Sequence, residues 1–243
     1  MKCWSLAAAI LVTGALVTNC HGGITVSLGV RESTSSGPIG SNVSSTLGIE
    51  WIRLDDQSFA FDGNWHTLTW NLDGTNVTAF AGSSANGTLE GAWGALENLR
   101  FLNSDSIASP ISIYIDNMVV TTPTGATTLT DFEGYSVGQA VMFRAPSFSG
   151  STAANLVAGS TSGITDTVAQ SGSGSYKVDF QFVDNNPTRW VRLTTSNTPT
   201  LGNPAIPFGP GTSLSVSFMA VPEPSSVGLL MLGAAGLLRR RKR

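Results

Sequence analysis

The sequence predicts an all-β domain, a jelly-roll-type antiparallel β-sandwich. Three observations carry that prediction. Apolar residues recur at every second position in several short runs, the period of a strand with one buried face. Between the runs lie stretches rich in Gly, Ser, Thr and Asn, with Asp-Gly turn signals in "FDGN" and "NLDGT". No long stretch has the period of an amphipathic helix.

Residues 1–23 precede the domain. Lys2 is followed by the apolar core "LAAAILVTGALV" and then by "TNCHGG", the layout of a secretory signal peptide. That core is too short for a spanning helix. Cleavage is expected near Cys20 to Gly23. Lipidation of Cys20 is the alternative, and Asn19 before it fits that poorly.

The domain is expected over 24–220. "ITVSLGV" alternates Ile24, Val26, Leu28 and Val30. "HTLTWNL" places Leu68, Trp70 and Leu72 on one face. "GALENLRFL" reads as a brief helix or as another strand. "ISIYID" points Ile111, Ile113 and Ile115 inward, with Tyr114 and Asp116 outward. A seam, "TTPTGATTLT", follows at 121–130, either a linker between two half-domains or a loop within one. "SYKVDFQFVD" points Tyr176, Val178, Phe180 and Phe182 inward, and leaves Lys177, Asp179 and Gln181 as a polar face. "PTRWVRL" puts Trp190 and Arg192 on one side, with Arg189, Val191 and Leu193 on the other. "SLSVSFMAV" closes the domain with Leu214, Val216 and Phe218.

Charge and cysteine content exclude several classes. Without its two ends the chain has 7 basic and 15 acidic residues, about −8, and no electrostatic footprint for nucleic acid. Cys3 lies in the leader, so no intramolecular disulfide is expected. There is no G-x-S-x-G elbow, no H-E-x-x-H and no Walker lysine. Glu50, Glu90, Glu97 and Glu133 leave a glycosidase carboxylate pair formally open, but no spacing favours one. A non-enzymatic protein is therefore expected. His66 reads as a strand residue beside Trp65, with no partner announced for base chemistry.

"IYIDN" (113–117) and "DFEGY" (131–135) resemble the closing and opening strands of galactose-binding-like and other carbohydrate-binding jelly rolls. "GNWHTLTWNLDG" also resembles a strand of laminin-G or concanavalin-type lectin domains. The first resemblance implies that Asp116 and Glu133 lie side by side as ligands of a structural Ca²⁺, with Asp131 a weaker candidate; calcium takes six to eight hard oxygens. The motifs here stand in reversed order. That implies one circularly permuted sandwich, with two half-domains, 24–122 and 129–220, as the alternative. The same family implies a sugar ligand. Trp51, Trp65, Trp93 and Trp190 are the candidate stacking platforms, and Arg192, Lys177, Asp179 and Gln181 the candidate polar contacts.

The chain ends in "VPEPSSVGLLMLGAAGLLRRRKR". Its apolar run, Val227 to Leu238, is about 18 Å long as a helix, against a hydrocarbon core of roughly 30 Å. Arg239, Arg240, Arg241, Lys242 and Arg243 resist translocation. This tail closely resembles the PEP-CTERM sorting signal. The resemblance implies a Gram-negative bacterium, export by the secretion machinery, transient insertion in the inner membrane, and processing by an exosortase-type enzyme near Val221, Pro222, Glu223 and Pro224. Delivery to the cell surface or extracellular matrix follows. Polysaccharide binding there, a purely structural or adhesive role, and glycan-active chemistry are the three functional readings left open.

Overall fold

Two features of the sequence, period-two runs and frequent turn residues, become twelve strands in a computed structural model that describes residues 23–33, 48–195 and 204–222. In chain order these are β1 (Gly23–Ser33), β2 (Ile49–Ala60), β3 (His66–Asn71), β4 (Val77–Ala81), β5 (Trp93–Leu102), β6 (Ile111–Thr122), β7 (Gly125–Thr130), β8 (Thr161–Thr165), β9 (Ser175–Phe180), β10 (Trp190–Thr194), β11 (Ala205–Pro207) and β12 (Ser213–Pro222). Sheet 1 has the order β10-β5-β1-β2-β4, with β11 also pairing β5. Sheet 2 has the order β3-β12-β6-β9-β8, with β7 also pairing β6. Every pairing is antiparallel. The expected leader, apart from Gly23 in β1, and the tail beyond Pro222 lie outside the described residues.

The inner faces are the alternating sets read from the sequence. Ile24, Val26, Leu28 and Val30 on β1 are fully buried, as are Leu214, Val216, Phe218 and Ala220 on β12. Aromatic rings join the sheets: Phe218 stacks on Phe59 at 5.2 Å, and Phe101 meets both Phe218 and Phe180. Such pairs add to the burial term because their ring edges and faces are oriented. Residues 121–130 form the β6–β7 hairpin, and each sheet contains strands from both sides of it. The first and last strands sit in different sheets around one core.

Two bulges change what the alternation predicts. "GALENLRFL" is strand β5, and its helix-like Leu96/Leu99 spacing arises where the β1–β5 register shifts: Gly29 pairs with Asn98 but Val30 with Leu96. Glu97 is the extra residue. On β6, Ser217 faces Asp116 whereas Ser215 faces Val119. Asn117 supplies the left-handed backbone there, with φ 47°. The inward set therefore passes from Ile115 to Met118. Asp116 lies on the outer face, as expected, opposite Ser217, yet it is fully buried beneath the loop at 170–174.

Candidate functional site

Asp116 and Glu133 do meet one structure, the loop 170–174 that leads into β9. The loop's backbone N–H groups turn toward them because Gly172 takes a positive φ of 65°. Asp116 accepts from the N–H groups of Gln170 (2.8 Å) and Ser171 (3.3 Å), and from that of Asn117 (2.7 Å). Glu133 accepts from the N–H groups of Gly174 (2.7 Å) and Ser173 (2.8 Å), and from the Ser173 hydroxyl (2.8 Å). Burial pushes the Asp116 carboxyl above its usual range, three backbone N–H groups pull against that rise, and the charge of Glu133 adds to it. The Gly174 and Ser173 N–H groups, with the Ser173 hydroxyl, hold Glu133 below the ordinary glutamate range. These residues fit a calcium ion poorly. Their oxygens are directed at N–H donors, and among the described residues no group of three or more His, Cys, Asp or Glu is gathered to hold a metal. Asp131 is exposed and receives the Glu133 N–H in a local turn.

The sugar-contact candidates fall into two separate places. Lys177, Asp179 and Gln181 line a pocket of about 250 Å³ on the outer face of sheet 2, with Pro110 and the 157–160 turn. Their polar groups are already engaged. Lys177 pairs with Asp179 at 2.9 Å, the Ser112 hydroxyl donates to Asp179 at 2.6 Å, and Gln181 donates to the Ala108 carbonyl at 2.7 Å.

Trp190 and Arg192 stand on the outer face of sheet 1, on the opposite side of the sandwich. Adjacent strands align Thr194, Asn98, Gly29, Trp51 and Thr78 in one row, and Arg192, Arg100 and Ser27 in the next. Thr25, Ser27 and Gly29 on the outer face of β1 are small, and side chains of β10 meet those of β2 and β4 across it. Trp190 meets Trp51 edge-on at 6.1 Å and Phe80 at 6.2 Å, and Trp51 packs on Phe80 at 4.3 Å. Arg100 lies 5.2 Å over Trp190, and Arg192 lies 5.2 Å over Phe80. Glu97, placed by the β5 bulge, accepts from Arg31 (3.1 Å) and Arg192 (2.8 Å), while Asp55 pairs with Arg100. Both Asn98 amide atoms, Arg192 Nε and Thr194 Oγ1 are buried without a hydrogen-bond partner.

The sequence did not announce Trp51–Phe80–Trp190 as a unit, nor Asn98, Arg31 and Arg100 as its company. The one signal available was that three of only seven basic domain residues lie on this face. The remaining carboxylates hold structure. Glu50 is buried and accepts the Asn86 and Gly87 N–H groups, and Glu90 accepts from the Asn86 amide. His66 has a partner after all: its Nε2 lies 2.9 Å from Asp62 Oδ1 across the tight link into β3. That contact holds the Asp62 carboxyl far below its usual range.

No helix among the described residues is long and apolar enough to cross a membrane. Of the sorting residues, Val221 and Pro222 close β12, paired with Ser112 and Ile111, while Glu223, Pro224 and the basic cluster lie outside the described residues. Residues 220–243 match the model of the PEP-CTERM protein-sorting motif. No curated protein and no solved structure matches the chain.

Proposed function

We propose that this is a non-enzymatic exported protein that binds polysaccharide at the bacterial cell surface or in the extracellular matrix. The sorting motif supports export and processing by an exosortase-type enzyme, and it says nothing of what the sandwich does there. We assign polysaccharide binding to the outer face of sheet 1. The observation that carries it is the half-buried Trp190 beside Trp51 and Phe80, on the face where the Asn98 amide, Arg192 Nε and the Thr194 hydroxyl have no hydrogen-bond partner. Sugar rings present flat C–H faces that stack on an indole, and hydroxyls that satisfy polar groups at the rim. The pocket on sheet 2 is the weaker candidate, because its Lys177, Asp179 and Gln181 already satisfy one another and their neighbours.

A panel of soluble polysaccharides in affinity electrophoresis with purified protein tests this. Retardation by at least one member, lost in Trp190→Ala, is the expected result. No retardation by any member would leave the structural or adhesive role. Cleavage of a glycan, abolished by a Glu→Gln substitution, would replace binding with catalysis.

A further inference from the structure

We infer that the sheet 1 face recognises an acidic saccharide, a chain whose sugars carry carboxylates. This inference rests on the polysaccharide reading and narrows it. Three facts separate an anionic ligand from a neutral one.

First, the domain is acidic and poor in basic residues, yet Arg31, Arg100 and Arg192 are concentrated on this one face. Among the described residues, Arg31 and Arg192 share one carboxylate, Glu97, and Arg100 pairs with Asp55.

Second, Arg192 and Arg100 are direct cross-strand partners on the same face. Like charges at directly opposed positions destabilise a strand pair. Burial lowers Arg100 to about 10 and also lowers Arg192, with Glu97 opposing that shift and Arg31 adding to it. An incoming carboxylate would relieve both the repulsion and the desolvation.

Third, the unpaired atoms are of the type such a ligand needs. Arg192 Nε is a donor with no acceptor, and it belongs to a fork suited to a carboxylate. Asn98 is fully buried, and its amide offers one donor and one acceptor, a match for neighbouring sugar hydroxyls. A Cβ at Gly29 would collide with that amide, so the glycine keeps the Asn98 position open. Leaving such buried groups unpaired costs desolvation energy, which a ligand that engages them recovers.

The ligand is thus bound between the half-buried Trp190 and Phe80, which pack on buried Trp51, and a guanidinium rim, with Glu97 orienting Arg31 and Arg192. Affinity electrophoresis and calorimetry with polygalacturonate, dextran and polyglutamate decide it. Polygalacturonate is expected to bind, with affinity falling as salt rises. Arg192→Gln and Trp190→Ala should each weaken it at least about tenfold. Arg192→Lys, which keeps the charge but loses the fork, should fail to restore it. Circular dichroism and thermal melts confirm that each variant is folded, and Arg31→Gln provides a second test at a more exposed position. Binding of dextran without polygalacturonate would overturn the acidic ligand and leave the polysaccharide reading standing. Equal binding of polyglutamate would overturn the saccharide component. No binding to polygalacturonate would overturn the acidic ligand whatever dextran does, and the polysaccharide reading falls with it only if no member of the panel binds.

Discussion

Glu133 and Asp116 act on one loop with opposite signs. Glu133 is held below its ordinary value, 4.5, by the N–H groups of Gly174 and Ser173. Its ionised form therefore stabilises the fold above that value, and the contribution is lost as pH falls through the lowered folded pKa. Asp116 is raised by burial, so its effect is present below the ordinary aspartate value and is lost as pH rises through the folded one. Glu133→Gln is expected to melt below the wild type at neutral pH, with the gap closing in acid as the wild-type carboxylate protonates. Because backbone N–H groups already occupy the oxygens of both carboxylates, excess calcium and a chelator should give the wild type the same melting temperature. A calcium-dependent rise abolished by Asp116→Ala would reverse that reading. The acidic pair itself was legible in "IYIDN" and "DFEGY". Its partner was not, because a Gly/Ser loop announces a turn and not what its N–H groups will face.

At the scale of the strand, alternation predicted the inward sets of β1, β3, β9, β10 and β12. Leu68, Trp70 and Leu72, and Tyr176, Val178, Phe180 and Phe182, are all buried as read. Asp116 keeps the outer face that alternation gave it, opposite Ser217, and is buried because the 170–174 loop covers it; the extra residue on β6 instead moves the next inward position to Met118. Asn117 makes that shift with φ 47°, and its amide donates to Gln170 at 2.8 Å. A β-branched residue there strains the left-handed backbone. Asn117→Val is expected to be less stable than Asn117→Gly by about 1–2 kcal/mol in urea unfolding, since both lose the amide contact and only valine adds the strain. The β5 bulge has the same physics with a functional consequence: it adds Glu97 beside Arg31 and Arg192. Equal stability of the two Asn117 variants would count against the backbone explanation.

Across the whole molecule, the sorting motif begins before the domain ends. The match starts at residue 220, and β12 runs through Pro222 between β3 and β6. A chain ending after Pro222 is expected to melt like the full-length domain, whereas one ending after Thr212 should not fold. The second truncation removes Leu214, Val216 and Phe218, all fully buried, each worth about 1.5–3 kcal/mol, together comparable with the 5–15 kcal/mol of a typical domain. A folded product ending at Thr212 would show that β12 is dispensable. The sequence by itself determined the all-β class, the buried faces of the regular strands, the acidic and sparsely charged surface and the C-terminal address, because each depends on residue type and short-range period. Only the tertiary structure decided that Trp190 and Arg192 lie on the opposite face from Lys177, Asp179 and Gln181. It alone joined Trp51, Phe80, Asn98 and Arg100 to the first pair. The physical reason is that strand order and register bring distant segments together through cross-strand pairing, and a single inserted residue can reverse which face a side chain serves.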